Sequence, residues 1–427
     1  MRVHLKTLGC RLNEAELESW SRDFQQRGIQ PDSDPGHADL LVINTCAVTE
    51  EAVRKSRKLL RRAQRDNPAA KLVISGCYAS LNPEQAADLG VDLLIPNSEK
   101  ERLVDIVIQE LQLPTMPATA MEADAYSLLG NNRQRAFIKV QDGCRYRCSY
   151  CIVTLARGEE RSKPLPEILH EIRHQRQQGI QEVVLAGVHL GGYGSDTGSN
   201  LKTLVEEVLE HTDMPRIRLG SLEPWDLPED FWHLFKNPRL MPHLHLPMQS
   251  GANSVLRRMS RRCRTEEFLA LAQSARKQIA DFNITTDIIV GFPGETEEEW
   301  RQTLDFVEQV AFGHVHIFAF SPRSGTKAAG LANPVSRETK RQRSEQLHHL
   351  AEKTRKAVID QQPGKTVAVL VEGGKSVSEN GRRLWAGYTP NYLRVQFASE
   401  QFLENRIVPV TLEQNSNNTL LASVVEN

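Results

Sequence analysis

Cys144, Cys148 and Cys151 stand in the stretch QDGCRYRCSYC at a C-x3-C-x2-C spacing. Three thiolates so close together are too few to close a four-cysteine metal site. They suffice to hold a cubane iron–sulfur cluster by three irons and leave the fourth iron open to a substrate or cosubstrate. Cysteine is scarce, with seven in 427 residues. The spacing therefore favours a ligand set over three incidental buried thiols.

Three further cysteines fall at regular positions. Alternation of strand and helix patterns runs from Met1 through the first third of the chain. Arg2 to Leu8, Asp39 to Asn44, Lys71 to Ser75 and Val91 to Ile95 read as strands. Asn13 to Gly28, Thr49 to Arg65, Pro83 to Leu89 and Glu99 to Leu111 read as helices. Thr49 is suited to N-cap the second of these, with Glu50 and Glu51 in its first turn. Such alternation predicts a doubly wound parallel sheet with helices on both faces. Cys10, Cys46 and Cys77 each follow a strand. The carboxyl ends of parallel strands share one edge, where sites are built. Each cysteine taken alone is also explained as a small buried hydrophobe. Three in successive units favour a second three-thiol set.

The rest of the chain must hold these two sets. A length of 427 residues suggests about three domains of ~150 residues. The spacing of elements predicts an N-terminal domain over 1–111, a linker over 112–133, a central domain over 134–360 and a small module over 361–427. A net charge of −1 excludes a global basic bias, so nucleic-acid contact would need local patches. One such patch is RKSRKLLRRAQR, Arg54 to Arg65, which suits either a phosphate-binding face or a solvated helix. No apolar run approaches the ~18 residues of a membrane helix. Reduced cysteines and the absence of a leader pattern lead us to expect a cytoplasmic protein without membrane attachment.

Six apolar runs in the central domain predict a partial (β/α)6 barrel, two units short of the closed form. They are Phe137 to Gln141, Glu182 to Gly187, Arg216 to Ser221, His243 to Pro247, Ile284 to Gly291 and His314 to Phe320. Helices are expected at Pro166 to Gln178, Leu201 to His211, Ser254 to Ala280 and Glu297 to Val310. Turn-rich segments end these strands at Gly187 and His189, at Glu223, at Gln249, and at Gly291 and Glu295. Each alone is an ordinary turn or cap, but repetition along one barrel edge favours a shared ligand site. His243 and His245 share one strand face, and packed, hydrogen-bonded histidines are expected there rather than metal ligands. Cys263 has no spacing partner and reads as a non-ligand. After a helix over Ser336 to Gln361, short strands predict a small antiparallel barrel. Its Trp385, Tyr388, Tyr392 and Arg394 suit either base stacking or the barrel's own core.

The motifs as a set resemble a family. CRYRCSYC resembles the cluster loop of radical S-adenosylmethionine enzymes, with Tyr150 at the usual aromatic position. TLGCRLN, VINTCAVT and ISGCYA resemble the three cysteine motifs of the methylthiotransferase N-terminal domain. ARGEERS, RIRLGSLEP, HLHLPMQSG, TDIIVGFPGET and SPRSGTKAA continue the match, and GYTPNYLRV looks like the RNA-binding TRAM module. The resemblance covers essentially the whole chain.

It implies two [4Fe-4S] clusters, one on Cys144, Cys148 and Cys151 and one on Cys10, Cys46 and Cys77. It further implies reductive cleavage of S-adenosylmethionine to a 5′-deoxyadenosyl radical, hydrogen abstraction, sulfur insertion and methyl transfer from a second S-adenosylmethionine. TLGCRLN looks closest to the branch acting on N6-threonylcarbamoyladenosine at tRNA position 37. Other branches act on isopentenyladenosine in tRNA or on a ribosomal-protein aspartate. A rival of another class is a non-catalytic iron–sulfur RNA-binding or redox-sensing protein. Implied cosubstrate contacts are Tyr150, Gly187, His189, Glu223, Gln249, Gly291 and Glu295. Implied partners are the tRNA anticodon stem-loop, an external electron donor and a sulfur source, acting on a monomer.

Overall fold

The computed structural model describes residues 1–115, 134–377, 383–416 and 419–425. The expected linker lies outside these residues from position 116 onward. The first sheet holds β1 (Arg2–Thr7), β2 (Gln30–Pro31), β3 (Leu40–Thr45), β4 (Lys71–Gly76) and β5 (Leu93–Ile95). All pairs are parallel, in the order β2-β1-β3-β4-β5. Every residue of β3 is buried, because helices cover both faces. Leu40 and Val42 point toward α1 (Arg11–Gln26) and α5 (Leu103–Glu110). Leu41 and Ile43 point toward α2 (Glu50–Asp66), α3 (Cys77–Leu81) and α4 (Pro83–Ala87). Thr49 caps α2, its Oγ1 accepting from the Ala52 N–H at 3.1 Å. Two elements depart from expectation. The two-residue strand β2 was not expected, nor was the short helix α3, which begins on Cys77 itself.

The central domain contains all six expected strands. β6 (Arg135–Lys139), β9 (Glu182–Ala186) and β10 (Arg216–Leu219) form one parallel set. β11 (His243–His245), β12 (Asn283–Val290) and β13 (His314–Ala319) form the other. A parallel bridge between Ser221 and His245 joins the two sets. Between β6 and β9 lies a small ribbon of β7 (Gln141–Asp142) and β8 (Arg161–Ser162), enclosing the cysteine loop and α6 (Val153–Arg157). The outer layer is α7 (Leu165–Gln177), α8 (Leu201–His211), α9 (Asn253–Arg258), α10 (Thr265–Gln278), α11 (Glu297–Val310) and α12 (Arg337–Ile359). One continuous helix was expected over Ser254 to Ala280. The structure breaks it between Arg258 and Thr265, with Ser260 in the left-handed region at φ 58°.

The C-terminal strands β14 (Thr366–Val377), β15 (Arg383–Tyr388), β16 (Arg394–Ser399), β17 (Ile407–Ser416) and β18 (Thr419–Val424) close a five-stranded barrel. Its loop at Tyr388 to Tyr392 docks on the amino-terminal ends of the central strands. Arg216 Nη2 donates to Thr389 O at 3.0 Å, Arg218 Nη1 to Pro390 O at 3.1 Å and Asn283 Nδ2 to Asn391 O at 2.8 Å. Buried Glu182 neutralises this end, held by Arg135, Arg216 and Arg218. Trp385 is fully buried, and Tyr388 stacks on Tyr392 at 4.8 Å beneath Arg135 and Arg218. Three aromatic side chains considered for base stacking thus serve the core and the domain contact. No helix among the described residues is long and apolar enough to cross a membrane.

Candidate functional site

The cysteine loop is pinned from both sides. Gly143 has φ 72°, and a Cβ there would meet Glu159 O at 1.9 Å, so only glycine lets β7 turn into the loop. Cys144 N donates to Gly158 O at 3.1 Å and Cys151 N to Cys148 O at 3.0 Å. Ser149 Oγ donates to Arg258 O at 2.8 Å, and Thr154 Oγ1 to Tyr146 O at 2.9 Å. Burial pushes the Cys144 thiol up to about 12 and Cys151 up to about 11, and the neighbouring thiols add to both shifts. Burial also raises Cys148, against the pull of Arg261, whose Nη1 lies 4.0 Å from its sulfur. Three close thiols of this kind resist ionisation alone and suit a site where metal ions supply the compensating charge.

The first domain builds its set from three strand ends. Cys10 precedes α1, Cys46 follows β3 and Cys77 follows β4. Gly9, at φ 110°, brings the backbone so near Cys46 that a Cβ would meet its Cβ and sulfur, each at 2.8 Å. Burial raises the Cys46 thiol, and Cys77 and Cys10 add to the effect. Sequence separations of 36 and 31 residues collapse into one cluster of thiols, as the shared strand edge requires. Both sets therefore fit three-thiol cluster ligation in their chemistry.

α6 joins the two sets. It follows Cys151 and packs on α3, which begins at Cys77. Asn97 Nδ2 donates to Ala156 O at 2.7 Å and lies 3.8 Å from the Cys77 sulfur. Arg157, at the end of α6, is 4% exposed. Its Nη1 contacts Glu16 Oε1 and Asp142 Oδ1, each at 2.9 Å, and its Nη2 donates to Asn13 Oδ1 at 2.7 Å. Lys100 Nζ meets Glu16 Oε2 at 2.5 Å, and Lys139 Nζ meets Asp142 Oδ2 at 2.7 Å. Buried Arg157 and Lys100 and part-buried Lys139 thus face buried Glu16 and Asp142, and Lys139 also pairs with Glu101 at 2.6 Å. Arg157 also lies near the first thiol set, since Cys77 and Cys10 both act on it electrostatically.

The expected cosubstrate residues have varied surroundings. Tyr150 packs against an apolar cluster with Met259, Ile289 and Phe292. A Cβ on Gly187 would meet Gln141 Oε1 at 2.8 Å. His189 is fixed at both ring nitrogens, Nδ1 by Glu160 and Nε2 by Asp226 at 2.5 Å, with Tyr146 packed at 4.5 Å. Burial alone would lower its pKa, but the bonds to Asp226 and Glu160 outweigh it and raise it. Glu223 pairs with Arg261 Nη2 at 2.7 Å, beside Cys148. Gln249 holds φ 76°, a conformation that costs about 1–3 kcal/mol for such a residue. Gly291, at φ 74°, donates its N–H to Glu295 Oε2 at 2.9 Å. The same oxygen pairs with Arg343 at 2.8 Å, so Glu295 is engaged in shaping its own loop.

His243 Nε2 and His245 Nδ1 both bond Thr285 Oγ1, at 3.1 and 2.9 Å, the packed arrangement expected of them. Cys263 lies in the apolar core of the central barrel. Sequence reasoning missed Asn13, Glu16, Asp142, Arg157, Glu160, Asp226 and Arg261. Only position gave a signal, since Asn13 falls inside the quoted stretch TLGCRLN, Arg157 and Glu160 inside ARGEERS, and Asp142 inside QDGCRYRCSYC.

Burial pushes Glu295 up to about 7, against the pull of Gly291 and Arg343. A carboxyl raised above its unfolded value near 4.5 favours the fold most at low pH. Stability then falls as pH rises from about 4.5 through 7, by about 3 kcal/mol. Urea midpoints between pH 5 and 8 will show this slope in the parent and a flatter profile in Glu295→Gln.

Comparison with known proteins agrees with this geometry. Residues 2–95 match the family model described as "Uncharacterized protein family UPF0004", and residues 138–307 match the Radical SAM superfamily. The chain is 36% identical over 426 residues to "Threonylcarbamoyladenosine tRNA methylthiotransferase MtaB" of Thermotoga maritima, covering 96% of this chain and 94% of that protein. It is 32% identical over 435 residues to "tRNA-2-methylthio-N(6)-dimethylallyladenosine synthase" of Thermotoga petrophila, covering 100% and 97%. Among solved structures, the radical S-adenosylmethionine methyltransferase TsrM of Kitasatospora setae shares the fold at TM-score 0.56 and 16% identity, over 77% of each chain. Two thiol sets joined through Arg157, on a partial barrel closed below by a small β-barrel, agree with these full-length matches: the chain belongs to the radical S-adenosylmethionine methylthiotransferase family.

Proposed function

We propose that the chain converts N6-threonylcarbamoyladenosine at tRNA position 37 to its 2-methylthio form, using S-adenosylmethionine. The observation that carries this reading is the convergence of Cys10, Cys46 and Cys77 with Cys144, Cys148 and Cys151 on either side of α6. Each set would hold one [4Fe-4S] cluster. When bound, these cofactors would supply radical generation from S-adenosylmethionine and carry the sulfur unit that replaces hydrogen at C2 of the adenine.

The chain's own residues place and shield. Gly143 and Ser149 fix the loop, Arg261 and Glu223 set the charge beside Cys148, and Arg157 fixes one thiol set against the other. Val48, Leu155 and Phe318 are exposed apolar side chains on segments of the two thiol-bearing domains. Tyr150, Gly187, His189, Gln249 and Gly291 would line the cosubstrate side of the barrel. The enzyme would work in the cytoplasm as a monomer with an external electron donor and a sulfur source.

The greater identity to the threonylcarbamoyladenosine relative favours that substrate. The 32% relative keeps isopentenyladenosine as the second reading. Nucleoside mass spectrometry on tRNA from a deletion strain lacking other enzymes of this type separates them. Loss of 2-methylthio-N6-threonylcarbamoyladenosine, restored by the parent gene, supports the first. Persistence of that nucleoside overturns it.

A further inference from the structure

Helix α2 carries a concentration of charge that the cluster chemistry does not use. Of its seven basic residues, Lys55 pairs with Glu51, while Arg62 and Arg65 pair with Asp66. Arg54, Arg57, Lys58 and Arg61 form no ion pair among the described residues. Arg54, Lys58 and Arg61 stand at i, i+4 and i+7, so they share one helix face, and all three are exposed. The chain as a whole has a net charge of −1, so this stripe is local.

The stripe leads into a groove of about 690 Å³ between the first two domains. Arg54, Arg323 and Arg337 line it, with Leu155 of α6 and a single acid, Glu50. The Arg323 Nε is buried without a hydrogen-bond partner among the described residues. Arg337 is the first residue of α12, where the positive end of the helix dipole disfavours a cation. Meanwhile Trp385, Tyr388 and Tyr392 of the C-terminal barrel are occupied within the fold.

We propose that this groove and the Arg54–Lys58–Arg61 stripe form a phosphate track, which grips the backbone of the RNA strand leading to the modified nucleoside. The inference rests on the tRNA reading above. Leu155 places the track next to the helix that follows Cys151, so a strand held there enters beside the two thiol sets. Backbone contacts of this kind position RNA without reading its sequence.

The test is binding of a labelled anticodon stem-loop to the cluster-reconstituted protein across a salt series. Lys58→Glu/Arg61→Glu and, separately, Arg323→Gln are compared with the parent. Arg301→Glu, an exposed arginine paired with Glu298 on α11, controls for general charge. The double variant should bind about tenfold or more weakly at low salt, with a slope of log affinity on log salt shallower by about 0.7 per lost phosphate contact. Arg323→Gln should weaken binding in the same direction, and Arg301→Glu should match the parent. The loss should be equal for stem-loops with adenosine or N6-threonylcarbamoyladenosine at the target position. Loss confined to the modified RNA would reassign the groove to the threonylcarbamoyl carboxylate and overturn the phosphate track. Unchanged affinity and slope in the double variant overturn the track but leave the tRNA reading standing. A parent protein that binds no RNA overturns both.

Discussion

Cys144→Ala will abolish 5′-deoxyadenosine formation from S-adenosylmethionine, whereas Cys46→Ala will retain it and lose the methylthio product. The contrast follows from where the two thiols sit. Cys144 belongs to the loop pinned by Gly143, Ser149 and Thr154 in the central barrel. Cys46 follows β3 of the first sheet, held by Ser56, whose Oγ donates to Cys46 O at 2.9 Å and accepts from Cys46 N at 3.1 Å. Losing one thiol of three leaves too few ligands for an open-iron cubane in that set and spares the other set. Anaerobic incubation followed by chromatography for 5′-deoxyadenosine and for the modified nucleoside reads both outcomes. Equal loss of both products in both variants would mean that the sets do not divide the chemistry.

The second large effect is at Arg157, which acts by positioning. Arg157→Ala removes the group that bridges Glu16 to Asp142, leaving them only Lys100 and Lys139, and takes the guanidinium donor from Asn13 Oδ1. Each buried hydrogen bond lost to a charged group costs about 1.5–3 kcal/mol. Most of that cost should appear as loosening of the first domain from the barrel. The variant should therefore melt earlier and hold less iron on Cys10, Cys46 and Cys77, while 5′-deoxyadenosine formation persists. Arg157→Lys keeps the charge but not the two-pronged contact, so it should recover part of the stability and iron. Calorimetry and iron content measure the two effects. A merely structural role would lower the melting temperature and leave the iron ratio between the two sets unchanged.

The local parts of this architecture were legible. Thiol spacing within one loop, and cysteines at three strand ends, need no knowledge of distant partners. The limits of α8 and α11, Leu201–His211 and Glu297–Val310, agree with apolar periodicity alone. The break between α9 and α10 was not legible, because apolar positions continue across it at helical spacing. What decides it is the chain's turn at Ser260, which carries Arg261 to Glu223 and Cys148. Arg157 was hidden for a plainer reason. Its partners Glu16 and Asn13 lie 141 and 144 residues away, beyond the reach of any local pattern. The rings of Tyr388 and Tyr392 left two fates open in the sequence, and Arg135 and Arg218 from the central strands decide between them.

An iron and sulfide count on the anaerobically reconstituted chain tests the two-set account most directly. The parent should hold about eight irons per chain, and a variant with Cys10, Cys46 and Cys77 all replaced by alanine should hold about four. About four irons in the parent, unchanged in that variant, would contradict a second cluster on the strand ends of the first domain.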